Sequence, residues 1–127
     1  MKALVFILVF VVALGSAWSK YVTHDGLLKY YDQHPKAPSG ARVLYTLGKG
    51  NEFFNNYDKM LGIYGRVIER YPRSPQAMEA RFGHALALER LNRISEAIAE
   101  YEVFLEKHPK SKYAASVRNN IEILKSR

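Results

Sequence analysis

The chain has 127 residues, enough for one domain, with 48% hydrophobic and 24% charged residues, a balance that excludes a disordered polymer. It contains no cysteine, which excludes disulfide staples, thiolate zinc sites, haem attachment and bacterial lipid attachment. The formal net charge of +7 favours acidic partners or anionic surfaces, but no run of four basic residues occurs, and most charges read as solvated helix faces.

Residues 1–19 read as a secretory signal peptide. Met1-Lys2 supplies a basic start, Ala3–Leu14 is an unbroken apolar run, and Gly15–Ser19 is small apart from Trp18. Cleavage after Ala17 and cleavage after Ser19 both fit. The alternative is an uncleaved anchor, but the run falls short of the ~20 residues a bilayer core requires. No integral membrane span is therefore expected after cleavage, and the protein is expected to be exported, periplasmic or extracellular. Loss of Lys2 leaves 18 basic against 12 acidic residues, a net charge of +6, on about 108 residues.

Residues 20–40 are expected to form a lead-in and a half-repeat helix. Lys20–Gly26 carries no clear pattern, Leu27–His34 reads as the end of a helix, and Lys36–Gly40 is a Pro/Ser/Gly loop. Residues 41–75 form the first complete unit. Ala41–Phe54 is a helix with Val43, Leu44, Leu47, Gly48 and Phe54 toward one side; Asn55-Asn56 ends it, Asn tolerating the left-handed conformation. Tyr57–Tyr71 is its partner, and the short turn makes the pair an antiparallel hairpin.

Residues 76–111 form the second unit. Ser74-Pro75 offers an N-cap hydroxyl and a proline at the first helical position. Gln76–Leu91 follows, with Ala77, Ala80, Ala85, Leu88 and Leu91 inward, and Asn92-Arg93 turns the chain into Ile94–His108. Residues 112–127 hold a closing helix, capped by Ser111, with Ala114, Val117, Ile121 and Leu124 on one face. No strand pattern competes in the mature chain, so the fold class is all-α.

These units repeat. In Ile94–Ser111 the apolar residues Ile94, Ala97, Ile98, Tyr101, Phe104 and Leu105 follow one helical face, and His108-Pro109 stops the helix because the residue before proline is pushed out of the α region. The same pattern stands 37 residues earlier, stopped by Tyr71-Pro72, and a shortened copy 37 before that, stopped by His34-Pro35. Three prolines in one phase mark a repeat architecture.

With those residues in view, ARFGHALALERLNRISEAIAEYEVFLEKHPKS resembles a tetratricopeptide repeat, an antiparallel helix pair stacked into an α-solenoid. The family's small, aromatic and alanine positions fall on Ala85, Ile94, Ala97, Tyr101 and Phe104. In the preceding unit they fall on Gly48, Tyr57, Met60, Tyr64 and Val67, with Leu47-Gly48 matching the family's Leu-Gly pair. The usual period is about 34 residues, against 37 here. This longer form is similar to the 36–37-residue repeats of bacterial outer-membrane assembly and Tol–Pal-associated proteins, which implies a cell-envelope setting. Two departures are the missing lipid-attachment cysteine and the missing N-terminal coiled coil.

The resemblance implies that the first helix of each hairpin lines a concave, ligand-facing side. The partner-binding groove then carries Tyr45, Lys49 and Glu52 in the first repeat, Phe82, Leu86 and Glu89 in the second, and Asn119 and Ile123 on the last helix. Such a mixture suits an extended peptide or a partner helix. The competing reading is that Tyr45 and Phe82 pack against neighbouring helices. Gly62 and Gly65, inside Tyr57–Tyr71, read either as a flat contact face or as tight packing against Leu27–Tyr31.

Enzyme chemistry finds no support. His24, His34, His84 and His108 form no i, i+4 ligand pair, and no phosphate loop or nucleophile motif appears. No cofactor and no metal are expected. The aromatic and basic clusters at Lys29-Tyr30-Tyr31 and Arg70-Tyr71 belong to helix ends in the repeat phase, so no nucleic-acid partner is expected. The leading expectation is a non-catalytic adaptor for a partner protein or peptide. The second is a structural subunit, a homo-oligomer or a cap on a larger assembly; the third is a binder of an anionic polymer.

Overall fold

A computed structural model of the protein describes residues 2–10 and 24–127. The chain divides into two units, Met1–Ala37 and Pro38–Arg127. In the first, residues 2–10 form helix α1 and α2 spans His24–Gln33. The expected cleavage positions after Ala17 and Ser19 lie outside the described residues, as does the start of the lead-in; its end, His24–Gly26, is helical. Pro35 ends α2 as expected. The His34 N–H donates to the Tyr30 carbonyl at 2.9 Å, and its ring stacks on Tyr30 with centroids 4.4 Å apart.

The second unit holds α3 (Gly40–Phe53), α4 (Tyr57–Arg70), α5 (Ala77–Arg90), α6 (Ile94–Lys107) and α7 (Ala114–Lys125). No strand occurs among the described residues, and the class is all-α. The 37-residue stride governs the backbone. Gly40, Ala77 and Ala114 open α3, α5 and α7 at that interval, and Arg70 and Lys107 close α4 and α6 at the same interval. The caps repeat their dihedrals as well: Tyr71 sits at φ −128°, ψ 52° and His108 at φ −134°, ψ 55°. Each is the residue that the following proline forces out of the α region. Asn55 and Asn92 take φ 58° and 60°, the left-handed turn expected of them.

Both serine caps differ from expectation. The Ser74 hydroxyl donates to the Tyr71 carbonyl at 2.7 Å, completing the turn after α4 rather than capping α5. The backbone does the starting: Ser74 and Ser111 accept the N–H groups of Ala77 and Ala114 through their carbonyls at 3.1 Å. Helices α5 and α7 therefore begin later than the hydroxyls announced. Phe54 also departs from its expected inward place. It lies one residue past the end of α3, where helical periodicity no longer holds, and is 71% exposed against Phe53 in a T-shaped pair.

Within the second unit each helix packs on its chain neighbour, and α3 additionally reaches α5. Helix α5 is consequently enclosed from several sides, which is why its buried residues are small: Ala77, Ala80, Gly83, Ala85 and Ala87, with Leu88. Ala87 and Gly83 join the inward set, and Leu91 is only half-buried. The large rings come from the second helices. Tyr64, Tyr101 and Phe104 are fully enclosed, and burying one such side chain contributes about 1.5–3 kcal/mol. Ala114, Val117, Ile121 and Leu124 close the core from α7.

Tyr64 shows how closely the helices approach. A Cβ on Gly48 of α3 would stand 2.3 Å from one edge of its ring, and a Cβ on Gly83 of α5 would stand 2.4 Å from the other. Glycine is required at both places, because any larger residue overpacks. Gly62 and Gly65 are different. The nearest atoms to an added Cβ are Arg66 Nη1 at 3.6 Å and His84 Nε2 at 3.9 Å, so there the backbone is not under close approach.

Candidate functional site

Helices α3 and α5 bring four of the expected groove residues to one cleft. Tyr45, Lys49, Glu52 and Phe82 line it together with Tyr64, Glu79, Gly83 and Tyr113, around a volume of about 90 Å³. Spacing explains the α3 side: Tyr45, Lys49 and Glu52 are one helical turn apart and share a face. Glu79 precedes Phe82 by three residues on α5, so helical spacing alone carried the signal that adds it. Tyr113 lies before α7, and its counterpart one stride earlier is Gln76, so no repeated pattern announced an aromatic ring there.

The cleft is knit by hydrogen bonds. The Tyr45 hydroxyl donates to Glu79 Oε2 at 2.5 Å. Lys49 Nζ donates to Glu52 Oε2 at 2.7 Å, and the Tyr64 hydroxyl approaches the same oxygen at 3.5 Å. Lys112 Nζ stands 3.6 Å from Glu79 Oε1 and 5.1 Å above the Tyr113 ring. Phe82 stacks on Tyr113 with centroids 4.7 Å apart and an interplanar angle of 12°. Tyr45 and Phe82 thus have partners on neighbouring elements while each keeps a half-buried surface on the cleft. Burial, then the Glu79 carboxylate, pushes the Tyr45 hydroxyl well above the usual phenol range; burial, then Glu52, does the same to Tyr64. Both stay protonated donors at neutral pH.

A second, wider hollow of about 450 Å³ is lined by Glu89, Arg90, Asn92, Ile123 and Arg127, which brings two more of the expected residues together. Leu86 and Asn119 line neither hollow; Leu86 is half-buried and Asn119 exposed. Glu89 also accepts from the buried Tyr101 hydroxyl at 2.9 Å, the counterpart of Glu52 with Tyr64 one stride earlier. Burial and Glu89 together raise the Tyr101 pKa.

No group of three or more metal-ligating side chains assembles among the described residues. No described helix is long and apolar enough to cross a membrane. The arrangement offers aromatic faces, carboxylates and phenol donors for contact with another molecule.

A search of curated proteins finds no match to the chain. The sequence profile of the tetratricopeptide repeat matches twice, at residues 42–74 and 79–111, the two hairpins α3–α4 and α5–α6. Two copies of that helix pair, spanning just over half of the sequence and stacked in register at a constant stride, make this chain a member of the tetratricopeptide repeat family.

Proposed function

We propose that the protein is an exported, non-catalytic adaptor of the bacterial cell envelope that holds a partner protein or peptide along the face made by α3, α5 and α7. The observation that carries the reading is the convergence of Tyr45, Lys49, Glu52 and Phe82 on one cleft. Half-buried aromatic rings beside charged groups are the composition of a peptide-receiving surface. The basic start and apolar run of Met1–Leu14 support export, and the 37-residue form of the repeat supports the envelope setting. Affinity capture from an envelope fraction tests the whole: Tyr45→Ala with Phe82→Ala should abolish recovery of the partner. Phe82 also stacks on Tyr113, so the exposed pair Asn119→Arg and Ile123→Glu is run beside it with circular dichroism as the folding control. Unchanged capture by both variants means that this face is not the site.

A second reading, a subunit that self-associates or caps a larger assembly, is favoured by Phe53 and Phe54, which are 81% and 71% exposed at the α3–α4 turn. A clean monomer at tens of micromolar in sedimentation would remove it.

A further inference from the structure

The two repeats are not equivalent around their buried tyrosines. At the second, Asn120 Nδ2 donates to the Tyr101 hydroxyl at 3.4 Å, while that hydroxyl donates to Glu89 at 2.9 Å. One stride earlier the residue in the place of Asn120 is Gly83. It has no side chain, the space is part of the cleft, and the Tyr64 hydroxyl has a single long contact at 3.5 Å to Glu52. Tyr64 is 1% exposed, so its oxygen is a buried acceptor facing a cavity that lacks the donor its twin enjoys. Buried polar atoms of this kind take a partner.

The surroundings specify which donor. Glu52 and Glu79 face the cleft from α3 and α5, and their side chains are only 30% and 29% exposed. Each is countered by a lysine on the rim, Lys49 and Lys112, exposed at 52% and 69%. Pairs held by such exposed lysines contribute little and yield easily to a better-placed cation. The walls between the carboxylates are the rings of Tyr45, Phe82 and Tyr113, which attract a cation over their faces. A cavity of about 90 Å³ also exceeds the ~10–15 Å³ that a single water occupies.

We propose that this cleft receives a lysine or arginine side chain of the bound partner, whose N–H groups donate to Tyr64, Glu52 and Glu79 while its stem lies against Phe82 and Tyr113. The inference rests on the proposed adaptor reading and names the chemistry of its occupant. The test titrates the full chain with capped hexapeptides that differ only at a central residue: arginine, lysine, norleucine or glutamate. Backbone amide shifts are followed by NMR. Arginine and lysine peptides should move resonances around Tyr45, Glu79 and Gly83, and norleucine and glutamate peptides should not. Glu79→Gln and Glu52→Gln should each weaken the arginine peptide about tenfold, as for a lost hydrogen bond to a charged group, with unchanged helicity. Equal binding of norleucine, stronger binding of glutamate, or no shift at all with arginine would overturn the assignment. Loss of partner capture with Asn119→Arg and Ile123→Glu but not with the two Glu→Gln variants would leave the adaptor standing and the cation pocket refuted.

Discussion

Gly83→Ala tests the packing at its tightest point. The added methyl would stand 2.4 Å from Tyr64 Cε2, where ordinary contact begins near 3.4 Å, so the ring must retreat by about 1 Å. Retreat leads toward Gly48 on α3, whose own backbone already lies against the opposite edge. Overpacking a close core costs about 1–3 kcal/mol, and a ring blocked on both sides belongs at the upper end. Replacing glycine by alanine inside a helix returns about 1 kcal/mol, which leaves a net loss of about 2 kcal/mol. For a domain of this size that lowers the melting temperature by about 8 °C, read by circular dichroism at 222 nm. Gly62→Ala is the control. Its nearest neighbour is 3.6 Å away on a flexible arginine, so the variant should gain about 0.5–1 kcal/mol. A Gly83→Ala protein as stable as the wild type, or an equal fall in both variants, would refute the claim that Tyr64 is clamped between two glycines.

Asn92 holds φ 60° between α5 and α6, so Asn92→Ala should destabilise by about 1–2 kcal/mol while Asn92→Gly stays near neutral in urea unfolding. His108 is held below its ordinary pKa by burial, with Arg81 and Lys107 adding repulsion. A depressed histidine contributes stability that is present above its unfolded pKa of about 6.5 and lost as pH falls through the folded value. The melting temperature should therefore drop on acidification below that point, and His108→Gln should flatten the drop; parallel profiles for the two proteins would show that His108 is not responsible.

What the sequence disclosed was whatever the backbone must do locally. A proline fixes the residue before it wherever it stands, so Pro35, Pro72 and Pro109 marked three helix ends, and Asn55 and Asn92 marked two left-handed turns. Gly48 was visible as half of a Leu-Gly pair. Gly83 was not, because its need arises from the Tyr64 ring on another helix, a relation that no spacing along the chain encodes. The serines misled for a related reason: Ser74 has a competing local acceptor in the Tyr71 carbonyl, and side chains of this type choose among such partners. In the cleft, Tyr45, Lys49 and Glu52 followed from helical turns on one element. Tyr113 reached it through the turn that precedes α7, and only tertiary packing puts it against Phe82.

The fixed 37-residue stride has a use in construction. Since Ala77 and Ala114 open their helices in the same phase after matching turns, a duplicate of residues 77–113 spliced in after Tyr113 would meet familiar neighbours at both seams. Lengthening by whole modules needs no new junction chemistry when each module touches only the ones beside it. The protein is in that sense a cassette, open to extension by the number of copies rather than by redesign.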